Sequence, residues 1–296
     1  GLNQYYLDMA NIREHCSWVH AKQKEDATQK AFDLVRMSIA RAARLEALQE
    51  FDLPVNKTAL VVGGGVAGMT CALSIAKQGH PVELVEKGRD LGGMARRLHT
   101  TLEGLDVQTY LDNLISDVYK NPLIHVSHEA EIKDVDGYLG NFTTIVETEG
   151  RTKVIKHGAS VLATGAQEYK PTEYLYGENE NVFTHMELGE EIAHGNEAVL
   201  NAEALVMIQC VGSRNEERNY CSRVCCGHAV KNAIKLKKNN PDMRIYVLFR
   251  DVRTYGFRED AYREAMEMGV QFIRYTPEDP PQVEAAKEGG KDVVRV

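Results

Sequence analysis

The sequence lacks the features of membrane-spanning, exported and nucleic-acid-binding proteins. No apolar run approaches the roughly 18 residues that cross a bilayer. Residues 1–20 hold charged side chains and two histidines where a signal peptide would be apolar. The net charge is −8, which leaves no basic excess to neutralise phosphates. We therefore expect no membrane span, no nucleic-acid partner and a cytoplasmic location.

Cysteine is scarce, and its pattern excludes two common arrangements. The six cysteines include no Cys-x-x-Cys pair and no ferredoxin-type run. In a chain without an export signal, they indicate metal or redox chemistry rather than a disulfide framework. Four of the six lie between Cys210 and Cys226. Because the chain starts at Gly1 without methionine and stops at Val296 just after a charged turn, we expect a fragment.

The sequence is organised around a glycine-rich turn. The apolar run 59–62 is typical of a buried parallel strand, and a helix is predicted from Val66 to Lys77. Between them, Gly63, Gly65 and Gly68 have the G-x-G-x-x-G spacing. These glycines allow a tight turn, close approach of a pyrophosphate and close packing of helix on strand. The pyrophosphate would bind at the positive end of the helix dipole.

Three further features favour FAD over NAD in this unit. Glu86 ends a second strand-like run, 18 residues after Gly68, where an acid accepts hydrogen bonds from a ribose. The Gly92-Gly93 doublet lets the backbone run beside a bound cofactor. The strand 159–162 closes on Ala163-Thr164-Gly165, which would pass over a ligand at the carboxyl end of the sheet.

The remaining patterns predict an α/β fold with two Rossmann-type units. Residues 27–49 predict an amphipathic helix, the short runs between 123 and 146 predict a β meander, and 204–275 predict a second βαβαβ pattern with a parallel sheet. We predict four segments: an N-terminal segment and helix (1–54), an FAD-binding domain with its meander (55–172), a linker (173–198), and an NAD-domain-like unit with the cysteines (199–296).

Cys210, Cys221, Cys225 and Cys226 form the second informative motif. Cys210 ends a predicted strand, and the others lie at or just before a helix N-terminus, where the dipole lowers thiol pKa values. Arg214 and Arg223 add positive charge nearby. This chemistry suits an iron–sulfur cluster, a zinc ion, a redox thiol pair or inert buried cysteines, and the spacing alone leaves all four open. Lys231, a turn further on, could face a cofactor or solvent.

The motifs together resemble the A-type subunit of heterodisulfide reductase, a flavin- and cluster-bearing family of anaerobes that includes methanogens. The stretches that carry the resemblance run through nearly the whole chain, and include 11–20, 61–69, 91–104 (Leu-Gly-Gly-Met-Ala-Arg-Arg-Leu-His-Thr-Thr-Leu-Glu-Gly) and 210–233. The cysteine motif combined with Arg253-Thr254-Tyr255-Gly256-Phe257 is its most specific part. The resemblance implies a thioredoxin-reductase-like pair of Rossmann-type domains with one FAD and an unusual 4Fe–4S cluster.

The resemblance also assigns roles to individual residues. The FAD-binding positions it implies are Gly63, Gly65, Gly68, Glu86, Gly93, Thr164 and Gly165. We predict neighbouring residues as further cofactor-binding positions: Val66, Ala67, Lys87, Met94, Ala95, Glu131, Ile132 and Ala163. The implied cluster ligands are Cys210, Cys221, Cys225 and Cys226. From its position after Cys226, and not from the resemblance, we predict Lys231 as the catalytic residue. Cys16 matches a cysteine of an N-terminal cluster region whose other ligands would lie upstream of Gly1.

The implied function is electron transfer between FAD and 4Fe–4S clusters in an oxidoreductase complex. The implied partners are the other components of a heterodisulfide-reductase-type complex, ferredoxin, and an electron-delivering hydrogenase or dehydrogenase. The family's flavin is thought to bifurcate electron pairs toward a heterodisulfide and ferredoxin. Two alternatives stay open: a self-contained NAD(P)H-dependent disulfide or quinone reductase, and a zinc-stabilised interaction module.

Overall fold

The chain forms two compact units, Gly1–Pro54 and Val55–Val296, in a computed structural model that describes residues 1–148, 150–289 and 291–296. In these described ranges, no helix combines the length and the apolar character needed to cross a membrane. Both parallel sheets belong to the larger unit. The α/β fold, with two Rossmann-type sheets and a helical N-terminal segment, is therefore as predicted.

The smaller unit is helical. It contains a 3-10 helix at Gln4–Tyr6, a π-helical turn at Arg13–Ser17 and the long helix α1, Lys24–Ala42. Helix α1 starts and ends earlier than the predicted 27–49. Although its apolar residues recur at helical intervals, none of its side chains is buried. The thiol of Cys16 is buried and donates to the Ala27 carbonyl oxygen at 2.9 Å.

The first α/β unit follows the predicted order of strand, glycine turn, helix and strand. Its elements are β1 (Ala59–Val62), α2 (Val66–Lys77), β2 (Val82–Val85), a 3-10 helix (Gly93–Arg97), α3 (Val107–Lys120) and β3 (Ile124–Ser127). All three strands are parallel, with Val82 paired to both Ala59 and Ile124. The prediction that the run at 124–126 belongs to the meander is wrong, because this run pairs with β2 instead.

A three-stranded antiparallel meander interrupts this unit before its sheet is completed. The meander contains β4 (Ala130–Tyr138), β5 (Asn141–Thr148) and β6 (Arg151–His157). The chain then returns as β7 (Ala159–Leu162), which pairs in parallel with β1 and gives the order β3-β2-β1-β7. The carboxyl ends of β1, β2 and β7 therefore meet at one edge of the sheet.

The segment predicted as a linker, 173–198, contains one helix and the start of a second. These are α4 (His185–His194) and α5 (Glu197–Leu200). Helix α4 begins with a capping box, in which Thr184 and Glu187 satisfy each other's backbone N–H groups. Leu188, Ile192 and Val199 are buried in the core of the second α/β unit. The second half of this segment is thus part of that unit.

The second α/β unit has the predicted βαβαβ order. It contains β8 (Ala204–Ile208), α6 (Cys225–Asn239), β9 (Arg244–Phe249), α7 (Arg258–Glu267) and β10 (Gln271–Arg274). The strands form a parallel sheet in the order β10-β9-β8. An antiparallel hairpin, β11 (Glu284–Glu288) and β12 (Lys291–Arg295), follows. Cys210 and Cys221 lie in the loop from β8 to α6, and Cys225 and Cys226 begin α6, at the carboxyl edge of this sheet.

Candidate functional site

The glycine turn after β1 needs glycine at two positions for packing and leaves a third open. A Cβ on Gly63 would overlap the Ala163 carbonyl oxygen, and a Cβ on Gly68 would overlap the Gly63 carbonyl oxygen. Gly65, the residue before α2, has extended backbone, and a Cβ there would meet no atom within 4 Å. The turn therefore presents open space at the start of a helix, as a bound pyrophosphate requires.

The Glu86 side chain contacts the backbone of this turn. Its carboxylate accepts hydrogen bonds from the backbone N–H groups of Gly64 and Gly88, each at 2.6 Å. Its own N–H donates to the Ser127 carbonyl oxygen at 2.9 Å, which fixes the end of β2 against the end of β3. A carboxylate has more lone pairs than these two bonds use, so Glu86 can also accept from the hydroxyls of a ribose.

The Gly92-Gly93 doublet runs against the glycine turn, as its sequence predicts. Gly92 donates its N–H to the Gly64 carbonyl oxygen at 2.8 Å, and it forms a parallel bridge with Gly65. A Cβ on Gly93 would lie 3.3 Å from the Gly65 Cα. In the 3-10 helix that follows, Ala95 is buried and Met94 is partly exposed. The turn and the doublet thus form two backbone walls of one cradle.

The loop after β7 forms a third wall. Ala163 donates to the Val62 carbonyl oxygen at 2.8 Å, and a Cβ on Gly165 would meet nothing within 4 Å. The structure therefore brings together most of the predicted FAD positions: Gly63, Gly65, Val66, Ala67, Gly68, Glu86, Gly93, Met94, Ala95, Ala163, Thr164 and Gly165. Open glycine positions, an acid and a helix N-terminus fit a flavin dinucleotide.

Lys87, Glu131 and Ile132 occupy the margin of this cradle. Lys87 Nζ lies 3.8 Å from Glu131 Oε1 in an exposed ion pair. Ala130, just before Glu131, donates its N–H to the Glu86 carbonyl oxygen at 2.9 Å, so β4 starts beside the ribose acid. Ile132 packs against the small cluster that contains Leu60. The Ile132 side chain therefore contributes to the packing of this cluster.

Three of the four cysteines of the motif converge. Cys210 follows β8 with a left-handed backbone (φ +63°), and its backbone N–H helps to lower the pKa of Cys225. The Cys226 thiol donates to the Asp251 carbonyl oxygen at 3.7 Å, and the neighbouring Cys226 side chain lowers the pKa of Cys225 against the opposing effect of burial. The Cys225 side chain, together with burial, raises the pKa of Cys226. Burial raises the pKa of Cys210. Cys225 is therefore the thiol of this group that ionises first.

Cys221 and Cys16 contact other groups. The sulfur of Cys221 accepts the Arg223 N–H at 3.3 Å, and Cys16 lies in the smaller unit. Throughout the described part of the chain, no three His, Cys, Asp or Glu side chains are arranged to hold a metal ion. A four-cysteine site would need Cys210, Cys225 and Cys226 to move closer together and Cys221, in the loop between β8 and α6, to join them.

Positive charge lies beside Cys210, as the sequence predicts. Arg214 Nη1 is 3.9 Å from the Cys210 sulfur, and Nη2 pairs with Asp251 at 2.7 Å. The backbone N–H of Arg253 acts to lower the pKa of Cys226, against the larger effects of Cys225 and burial. This links the Arg253–Phe257 motif to the cysteines and gives the sulfurs the charge and N–H donors that a cluster requires.

Lys231 on α6 faces the first α/β unit. Its ammonium group donates to the Thr100 carbonyl oxygen at 3.2 Å. Burial, with a smaller effect of Lys235, lowers the pKa of Lys231 to about 8. The lysine is thus half-buried and still mostly protonated at pH 7, but it loses its proton at a much lower pH than a solvated helix lysine does.

Sequence reasoning missed a group of buried polar residues beside Lys231. His185 Nε2 lies 2.9 Å from Gln209 Nε2, and the His185 and His228 rings are 6.2 Å apart. Burial lowers the pKa of His185 to about 4 and that of His228 to about 3, so both rings are neutral. The sequence offers one indication of this group. Two of its members lie next to the cysteine motif, since Gln209 precedes Cys210 and His228 follows Cys226 by two positions.

Arg97 is a second residue whose role the sequence does not indicate. From the sequence, it is as well explained by a solvated charge as by contact with a phosphate or a partner. Its guanidinium group instead binds Glu190 through two hydrogen bonds of 2.8 Å and Glu168 through one of 2.9 Å. The ion pairs join the cradle side of the molecule to α4.

Comparison with known proteins gives a family match over half of the chain. Residues 57–208 match the family described as pyridine nucleotide-disulphide oxidoreductase. The chain is 32% identical to a CoB–CoM heterodisulfide reductase iron-sulfur subunit of Methanopyrus kandleri, over 95% of this chain and 57% of that protein. It is 34% identical to the matching subunit of the H2:CoB-CoM heterodisulfide,ferredoxin reductase of Methanothermobacter marburgensis, over 94% and 56%. The chain spans about half the length of the curated relatives it matches. The predicted resemblance to this type of subunit is confirmed.

Two reductases are examples of solved structures that resemble this chain. Thioredoxin reductase from Lactococcus lactis is 15% identical with a TM-score of 0.48, over 81% of this chain and 74% of that chain. An NAD-dependent persulfide reductase from A. fulgidus is 22% identical with a TM-score of 0.47, over 80% and 42%.

Proposed function

Because this chain belongs to the pyridine nucleotide-disulphide oxidoreductase family, we propose that it is an electron-transfer flavoprotein subunit of a heterodisulfide-reductase-type complex. The observation that carries the proposal is the cradle itself. Its walls are backbone at Gly65 and Gly93, with the Glu86 carboxylate above them. Such a cradle suits the pyrophosphate and ribose of FAD.

The chain's own residues would bind and orient the cofactors. When bound, FAD would exchange an electron pair and a 4Fe–4S cluster would take single electrons. The N–H groups at the start of α2 would bind the pyrophosphate, and Glu86 would accept from the ribose. Lys231, which donates to the Thr100 carbonyl oxygen, would hold or release a proton beside the segment that follows the 3-10 helix Gly93–Arg97. We propose Lys231 as the catalytic residue on this ground.

Cys210, Cys225 and Cys226 would supply three cluster ligands. Their sulfurs converge, and Arg214 and the Arg253 N–H offset negative charge there. Cys221 would complete the set if the loop between β8 and α6 closes. Cys16 would serve a different cluster with ligands from another chain segment. Burial of its thiol against Ala27 also suits a purely structural role.

The finer parts of the proposal concern the complex. The Methanothermobacter marburgensis relative is named as a reductase of both heterodisulfide and ferredoxin. We propose the same pair of acceptors here, with electron bifurcation between them and a cytoplasmic location. The proposed partners are the other components of the complex and an electron-delivering hydrogenase or dehydrogenase. The proposed domains are those predicted from the sequence, with residues 185–198 joined to the second α/β unit.

The second candidate is a self-contained disulfide reductase. The family description includes disulphide reduction, and the convergence of three thiols at Cys210, Cys225 and Cys226 favours it. Adjacent cysteines make a strained disulfide, so Cys210 would have to be one partner of any reversible pair. Bleaching of bound flavin by NADPH would favour this candidate over the electron carrier.

A single added methyl group tests the cradle. Gly65→Ala should leave the fold intact, because its Cβ meets no protein atom and the backbone is extended. It should weaken FAD binding at least about tenfold, since the methyl group occupies space that the pyrophosphate needs. The measurement is titration of FAD by fluorescence, with thermal unfolding of the FAD-free protein.

Ser74→Ala, a change at an exposed residue of the same helix, is the control. Equal FAD affinity in the wild type and Gly65→Ala, with equal unfolding temperatures, would count against a dinucleotide at this turn.

A further inference from the structure

Arg97 joins the cradle to helix α4 through a fork of hydrogen bonds. It ends the 3-10 helix that starts at Gly93, and Gly92 is bonded to the glycine turn. Nε and Nη2 bind the two oxygens of Glu190, each at 2.8 Å, while Nη1 binds Glu168 at 2.9 Å. A bidentate arginine fixes direction as well as distance, which a lysine does not.

Helix α4 contacts both segments that carry the converging cysteines. Its first residue, His185, lies 2.9 Å from the Gln209 side chain, and Gln209 precedes Cys210 in the chain. The His185 carbonyl oxygen accepts from Asn232 Nδ2 at 3.0 Å, and Asn232 lies on α6, which begins at Cys225. One short helix therefore meets Arg97 near its middle and both cysteine segments at its start.

The polar contacts at the start of α4 leave little freedom. Gln209 is 2% exposed, and its backbone carbonyl oxygen also accepts from the Tyr275 hydroxyl at 2.5 Å. The capping box at Thr184 fixes the first turn of α4. A shift of α4 would have to carry Gln209 with it or break a buried hydrogen bond.

We propose that Arg97 is a positioning residue that couples the dinucleotide cradle to the cysteine group. Its pairing with Glu190 fixes α4, and α4 fixes Cys210 relative to Cys225 and Cys226. A ligand in the cradle contacts the backbone that leads to Arg97, so its binding changes the reactivity of these cysteines. This ligand dependence rests on the proposed function, whereas the positioning by Arg97 does not.

Cysteine alkylation by iodoacetamide, resolved by mass spectrometry, tests the coupling in the full chain before metal is added. Cys71 on α2 serves as the internal reference. In Arg97→Gln, we expect alkylation of Cys210 to rise at least about fivefold relative to Cys71, the low end of typical coupling between sites. In Arg97→Lys, which keeps the positive charge, we expect Cys210 alkylation at a rate between those of the wild type and Arg97→Gln. Arg263→Gln, which removes an exposed pair within α7, is the matched control and should change nothing.

The second arm adds FAD. In the wild type, FAD should change Cys210 alkylation about fivefold or more, and this response should vanish in Arg97→Gln. Equal acceleration of Cys210 and Cys71 would overturn the positioning role, because general loosening affects both. The positioning role would also be overturned if, without FAD, Cys210 were alkylated equally fast in Arg97→Gln and in the wild type. A wild type that binds no FAD would refute the proposed function, while the FAD-free arm would still decide the role of Arg97.

Discussion

Replacing Lys231 by methionine should change how stability depends on pH. Burial lowers the pKa of Lys231 from 10.5 to about 8, so the folded protein holds this proton less tightly than the unfolded chain does. Below pH 8 the charged lysine therefore costs stability, and that cost disappears as the pH rises from about 8 to 10.5. Methionine is one atom shorter than lysine, is also unbranched and carries no charge.

The size of the effect follows from the shift and from the partial exposure of the ammonium group. A pKa lowered from 10.5 to about 8 corresponds to about 3.4 kcal/mol for a fully desolvated group, at about 1.4 kcal/mol per pKa unit. Solvent screening reduces this to about 1–2 kcal/mol. Loss of the hydrogen bond to Thr100 costs Lys231→Met about 1 kcal/mol at every pH.

The two contributions separate in urea denaturation at pH 7 and pH 10. At pH 7, Lys231→Met should be about as stable as the wild type or slightly more stable. At pH 10 it should be less stable, a change of about 1 kcal/mol relative to the wild type. Lys238→Met, at an exposed lysine paired with Glu264, is the control and should show no such change. A stability difference independent of pH would refute the reasoning that Lys231 is desolvated.

Three further changes test the fold around the site. Gly68→Ala should lose about 1–3 kcal/mol in urea denaturation, because its Cβ overlaps the Gly63 carbonyl oxygen; stability equal to that of Gly65→Ala would contradict this. Thr184→Ala should lose about 1 kcal/mol, whereas Thr184→Ser should keep the cap of α4; equal losses would contradict the capping box. Burial opposes ionisation of Glu187, but hydrogen bonds from Lys170, Thr184 and Tyr176 lower its pKa to about 2. Stability should therefore fall with pH from about 4.5 toward 2 more steeply in the wild type than in Glu187→Gln.

Local sequence patterns predicted the first α/β unit well. The strand, glycine turn, helix and acid follow each other within about 30 residues, and each has a backbone requirement that only certain residues meet. Gly63 and Gly68 are needed because carbonyl oxygens lie where their Cβ atoms would be. The strand at 124–126 was misassigned because its partner, β2, lies about 40 residues away in the sequence.

Contacts between distant residues were the part that could not be predicted. Arg97 pairs with Glu168 and Glu190, which are 71 and 93 residues away, and nothing in the local run distinguishes it from Arg96. Likewise, spacing suggested four equivalent cysteines, whereas the fold groups Cys210 with Cys225 and Cys226 and places Cys221 against Arg223. Side-chain partners of this kind depend on how the two sheets meet, which periodicity does not encode.

The direct test of the electron-carrier account is the cofactor content after anaerobic purification and iron–sulfide reconstitution. Flavin, iron, zinc and acid-labile sulfide are measured per chain, with a visible spectrum. The account predicts bound FAD with about four iron and four sulfide, and loss of the iron in Cys225→Ser and Cys226→Ser with the flavin retained. Zinc without iron, or a chain that binds neither metal nor flavin, would contradict it.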